Sequence, residues 1–220
     1  MCFSMTASIA AGTALVATGA VTLSLVRDRA ERPLALLPLL FGVQQLVEGV
    51  VWWSLDHDDA QLNVASSFAY TLFSHVLWPV LVPFAMLSLE TVPWRRQALR
   101  AFLALGVLVS LAGLWTVLDG PRGSHVSGSS IQYAMPSLFF VALYLVATCV
   151  GTMVSSHRFL VVLGAGALGL GLFTLWLYEA VFVSVWCFFS AVLTLTIVGF
   201  FWSRRASVRR LGDRQEQAAR

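Results

Sequence analysis

Residues 34–55 read Leu-Ala-Leu-Leu-Pro-Leu-Leu-Phe-Gly-Val-Gln-Gln-Leu-Val-Glu-Gly-Val-Val-Trp-Trp-Ser-Leu. A helix needs about 20 predominantly apolar residues to cross a hydrocarbon core of roughly 30 Å. This stretch is long enough, and its only charge is Glu48. The pattern recurs along the chain, between charge clusters, at roughly Met5 to Val26, Leu34 to Leu55, Val64 to Leu89, Ala101 to Leu118, Ser137 to Val154, Phe159 to Leu177 and Val181 to Trp202. Of the 220 residues 58% are hydrophobic and 11% charged, with a mean hydropathy of +0.80, whereas a soluble domain carries roughly 25% charged residues. The expected fold is therefore an all-α polytopic membrane protein with seven transmembrane helices, residues 1–202 forming the bundle and residues 203–220 a basic tail. Leu- and Ala-rich runs without strict alternation argue against barrel strands. The same composition excludes disorder, a disulfide scaffold and a nucleic-acid module.

All 14 basic residues are Arg. The lack of lysine excludes a retinal Schiff base, a pyridoxal enzyme and a lysine nucleophile. Arg27, Arg29 and Arg32 separate the first two stretches, Arg95, Arg96 and Arg100 the third and fourth, and Arg158 the fifth and sixth, while six more follow Trp202. The alternate connections hold only Arg122. By the positive-inside rule this alternation places the C-terminus in the cytoplasm and the N-terminus outside. The opening Met-Cys-Phe-Ser has no basic n-region, so the first stretch is expected to be a retained span. The basic tail is expected to lie against anionic lipid headgroups. Small residues, Ser8, Gly12 and Gly19 on the first helix and Gly164, Gly166, Gly169 and Gly171 on the sixth, read as close-packing positions.

Ionisable side chains at membrane depth cost several kcal/mol and mark candidate functional sites. Gln44, Gln45, Glu48 and Trp52 share one face of the second helix by their spacing. Glu48 falls roughly 10 Å below the helix's outer end. A second stripe on the third helix comprises Ser67, Thr71, Ser74, His75 and Trp78, followed by Pro79 and Pro83, which are expected to kink the helix and free the His75 carbonyl. The seventh stretch contributes Glu179, Cys187 and Ser190, and Cys2 stands at the outer mouth of the first. Cys2, Glu48, His75, Glu179 and Cys187 thus come from four helices yet fall in the outer half of the bundle. Thiolate, imidazole and carboxylate are the ligands that zinc, copper or iron select. A Glu48–His75 hydrogen-bonded pair without metal is an equal alternative. Tyr133 and His125, in the long loop from Asp119 to Pro136, are placed to cap the pocket.

Met-Cys-Phe-Ser, the following Ala7-Ser8, and the stretch from Leu37 to Trp52 resemble a family of uncharacterised bacterial multi-pass membrane proteins, a domain of unknown function, which open with Met-Cys, an aromatic residue and Ser. The resemblance is specific over the first 55 residues. It implies a bacterial membrane protein, here expected in the inner membrane, and draws attention to Cys2, Ser4, Gln45 and Glu48. It carries no activity. The His-x-x-x-His pair of seven-helix zinc hydrolases is absent.

The leading expectation is an outward-opening pocket that holds a transition metal through Cys2, His75, Glu179 and Cys187. Glu48 would be the catalytic base, Gln44, Gln45, Trp52, Ser74, Trp78 and Ser190 the lining, and a lipid-soluble small molecule the substrate. The rival is a proton-linked transporter or channel using Glu48 and His75, with a polar path continuing to the cytoplasm. A third reading is a structural membrane subunit without chemistry.

Overall fold

The computed structural model describes residues 4–120, 123–134 and 137–205. Cys2 and most of the basic tail lie outside the described residues. Seven helical rods follow in chain order: α1 (Met5–Leu25), α2 (Arg32–Asp56), α3 (Ala60–Leu89), α4 (Pro93–Asp119), α5 (Leu138–Met153), α6 (Arg158–Leu177) and α7 (Glu179–Arg205). Six of them are long and apolar enough to cross a membrane. The exception is α5, whose 16 residues from Leu138 to Met153 span roughly 24 Å at 1.5 Å per residue. The expected boundaries hold closely except at α4. That helix starts at Pro93 instead of Ala101 and so carries Arg95, Arg96 and Arg100 on its first turns, where their long stems can follow the apolar helix while the guanidinium groups reach water.

Why the helices pack as they do is written partly in their glycines. A Cβ at Gly19 would lie 2.5 Å from the Leu39 amide nitrogen, so α1 and α2 meet backbone to backbone. Of the α6 glycines, Gly164 and Gly171 abut Cys149 and Trp186, whereas Gly166 and Gly169 face open space. The small-residue reading therefore applies to half of that run.

The third helix departs from regular geometry. Residues Leu72–Leu77 form a π-helical segment, and the Trp78 amide donates to the Phe73 carbonyl, five residues back. Pro79 has no amide to donate to the carbonyl of His75. On α4, Gly113 permits the resulting approach, since a Cβ there would stand 2.5 Å from the His75 carbonyl oxygen. Ser110 Oγ meanwhile donates to the Val76 carbonyl at 2.9 Å. The expected proline distortion is thus taken up as a π turn bonded to α4. A second π segment, Val146–Val150, interrupts α5.

Each end of the bundle is tied together. At the arginine-rich end, Arg204 of α7 pairs with Glu31 of the α1–α2 turn at 3.0 Å. Glu90, buried after α3, accepts from the amides of Thr91 and Val92 at 3.0 Å each, and from the amide of Ser156 in the α5–α6 turn at 2.7 Å. At the opposite end the long loop folds into a hairpin, β1 (His125–Ser127) against β2 (Ser130–Gln132), turning at Gly128 with φ +63°. Asn63 at the start of α3 accepts from the Ser124 amide at 2.9 Å and donates to the Ser124 hydroxyl at 3.1 Å. The loop is thereby pinned across the bundle mouth, and Ile131 and Tyr133 are buried beneath it.

Burial alone would raise the Glu90 carboxyl, but the hydrogen bonds from Val92, Ser156 and Thr91 outweigh it and hold the group below its ordinary value of 4.5. A carboxylate with a depressed native pKa stabilises the fold above its unfolded pKa, and that contribution is lost as pH falls through the native value. Thermal melting in detergent should therefore show stability falling as pH drops below about 4.5. In Glu90→Gln the midpoint should be lower at neutral pH and less dependent on acid.

Candidate functional site

The polar residues of α2 turn inward. Gln44 and Gln45 are fully buried and Glu48 is 1% exposed. The carboxylate accepts from Ser184 Oγ of α7 at 2.6 Å. The other side chains that face it are Tyr70 of α3, Gln45 on its own helix, and Ser8 of α1. Cys187, one turn after Ser184, faces Gln44, Tyr70 and Glu48. Tyr133 of the loop stacks on Tyr70 with ring centroids 4.3 Å apart and lies within electrostatic reach of Glu48 and Cys187. Four helices and the loop therefore converge on one carboxylate.

This cluster holds more polar atoms than it pairs. Among the described residues, Gln44 Nε2, both polar atoms of Gln45, and the hydroxyls of Tyr70 and Tyr133 are buried with no partner at hydrogen-bond distance. Each such group is destabilising at membrane depth unless something completes it. Gln44 is half satisfied, because its Oε1 accepts from Trp78 Nε1 at 2.8 Å. Trp78 in turn stacks on Phe41 at 3.8 Å, which fixes the indole as the floor of the cluster.

His75 belongs to a neighbouring site. Its Nδ1 pairs with Ser74 Oγ at 2.7 Å, and the ring also faces the backbone of Ala134 and Thr71. The expected Glu48–His75 hydrogen bond does not form among the described residues. The imidazole instead holds the loop next to Tyr133 and lines a cavity of about 290 Å³ with Ser67, Thr71, Thr116, Gly123 and Ala134. A gap of about 20 Å³, bordered by Ser74, His75, Phe140 and Cys187, lies between this cavity and the cluster. On the arginine-rich side of Trp78, a crevice of about 80 Å³ carries the side chains of Thr148, Cys149, Thr152, Ser190 and Thr194.

The sequence-derived residues are thus divided. Gln44, Gln45, Glu48 and Cys187 come together, and Trp78 closes the group. Ser74 and His75 stand beside it, and Ser190 lies on the crevice toward the arginine-rich end. Trp52 is buried on α2. Glu179 is exposed in the first turn of α7 and takes no part. Among the described residues no group of three or more His, Cys, Asp and Glu side chains is placed to hold a metal ion. Sequence reasoning missed Tyr70, Ser184 and the polar role of Ser8. The helical spacing of Ser184 to Cys187 and of Ser67 to Tyr70 was the available signal.

Trp78→Phe should leave the whole Gln44 carboxamide buried and unpaired, at a cost of about 1–3 kcal/mol. Removing both partners at once leaves nothing unpaired, so Trp78→Phe with Gln44→Leu should melt above the Trp78→Phe single variant in detergent. Additive losses would contradict the pairing.

Comparison with known proteins adds a family and no activity. No curated protein and no solved structure matches the chain. Residues 1–214 match the model described as a family of unknown function (DUF6629), and the chain belongs to that family.

Proposed function

We propose that this integral membrane protein loads and releases a proton at Glu48, within a seven-crossing bundle of the bacterial inner membrane, as a carrier or channel. The observation that carries the reading is a carboxylate 1% exposed at membrane depth, bonded by Ser184 and surrounded by buried polar atoms that lack partners. Ionisable groups so placed serve proton and ion pathways. The path on either side supports the same reading. The cavity at His75 leads toward the loop end, and a largely apolar crevice that Thr148 and Ser190 also border leads toward the arginine-rich end. Trp78, Gln44 and the Tyr70–Tyr133 stack separate the two.

The orientation follows from charge. The Arg204–Glu31 and Glu90–Ser156 contacts gather the arginine-rich turns at one end, which the positive-inside rule makes cytoplasmic. The short α5 then completes seven crossings, with its π turn beside the inner crevice. A transition-metal enzyme would have to be built from Glu48 and Cys187 together with Cys2, since His75 is engaged by the loop and Glu179 is exposed. Oxygen and amide groups outnumber the one thiol around Glu48, which favours proton chemistry over a thiolate-bound metal.

Purified protein in liposomes with an entrapped pH-sensitive dye should dissipate an imposed proton gradient. Glu48→Gln should slow this at least tenfold, the loss expected when an obligatory group is removed. Gradient decay no faster than in empty liposomes, or undiminished in Glu48→Gln, would overturn the proposal.

A further inference from the structure

The ligand chemistry around Glu48 goes beyond a proton. The carboxylate, Ser184 Oγ, Ser8 and Tyr70 hydroxyls and the Gln45 carboxamide come from α1, α2, α3 and α7. All five are 0–2% exposed, and among the described residues Gln45 Oε1 and Tyr70 OH have no partner at hydrogen-bond distance. Oxygen-only sets select hard cations, whereas thiolate and imidazole select transition metals. The charge fixes the valence. Tyr133, Tyr70 and Cys187 are the other titratable groups facing Glu48, and no arginine or histidine is bonded to it among the described residues. One carboxylate neutralises one positive charge. A divalent ion would leave a net charge buried at membrane depth, which is costly.

We propose that Glu48, Ser184, Gln45, Ser8 and Tyr70 form a binding site for one dehydrated monovalent cation of the sodium class, which exchanges with the proton on Glu48. This rests on the proton-exchange reading above. Hydroxyl and carboxamide oxygens replace the hydration shell of the ion, as in other membrane ion sites. The hydroxyls of Ser8, Ser184 and Tyr70 can turn their protons away and present lone pairs. When the cation enters, the carboxyl proton leaves, so the charge of the site is unchanged.

The test is equilibrium binding of radioactive sodium to the full-length chain in detergent, at mildly alkaline pH, with unlabelled sodium, lithium, potassium or choline as competitor. Binding should saturate near one ion per chain and be competed by sodium and lithium but not by choline. It should be lost in Glu48→Gln and weakened roughly tenfold in Ser184→Ala, about the worth of one ligand bond. Ser184→Ala and Gln45→Leu keep the test decisive if Glu48→Gln fails to fold. No saturable binding to wild type, or undiminished binding in both of those variants, would overturn the site. If Glu48-dependent proton flux persists in that case, the proton reading stands without the cation. Loss of both removes the two together.

Discussion

A carboxylate cannot sit unaccompanied in hydrocarbon, and the 2.6 Å bond from Ser184 to Glu48 is how this chain meets that constraint. It joins α2 to α7 across 136 residues of sequence. The rest of the bundle is arranged around it. Tyr70 arrives from α3, Ser8 from α1, and Tyr133 from the loop that α3 pins in place. Polar groups brought together in a low-dielectric interior interact strongly, and those left unpaired are correspondingly costly. A fold that tolerates several such atoms at one point holds them there at the expense of its own stability, which is the usual mark of a functional site.

The irregular helices serve the same point. Residues Leu72–Leu77 widen α3 into a π turn where its wall faces the cavity at the loop end, and Val146–Val150 do so on α5 beside the crevice toward the arginine-rich end. Single π turns inside α-helices recur at functional sites. Here one adjoins the cavity and the other the crevice, with Trp78 between them. Its indole is at once packed on Phe41 and bonded to Gln44, so the barrier is tied to the polar cluster itself.

Much of this was legible in the sequence. The spans, the alternation of arginine, and the shared face of Gln44, Gln45 and Glu48 followed from periodicity and charge alone. Tyr133 was placed near the pocket because it sits in the only long loop. What periodicity could not supply was the pairing between helices. Ser184 looks like a minor polar residue in an apolar run, and Tyr70 like an ordinary interfacial aromatic. Only tertiary packing makes them partners of a carboxylate on another helix. The same limit explains His75. Its depth suggested company with Glu48, but depth fixes one coordinate and the rotation of α3 fixes the other. The π turn that sets this rotation has no clear sequence signal beyond the prolines that follow it. Glu179 was drawn into the site by depth as well, yet its place in the first turn of α7 leaves it exposed.

The central claim is that Glu48 is the group that changes protonation inside the bundle. Infrared difference spectroscopy between mildly acidic and mildly alkaline solution reads a protonated carboxylic acid directly, through its carbonyl stretch. The account predicts one such band from a buried, slowly exchanging carboxyl that disappears in Glu48→Gln and remains in Glu90→Gln. A wild-type spectrum without that band, or a band that survives in Glu48→Gln, would contradict it.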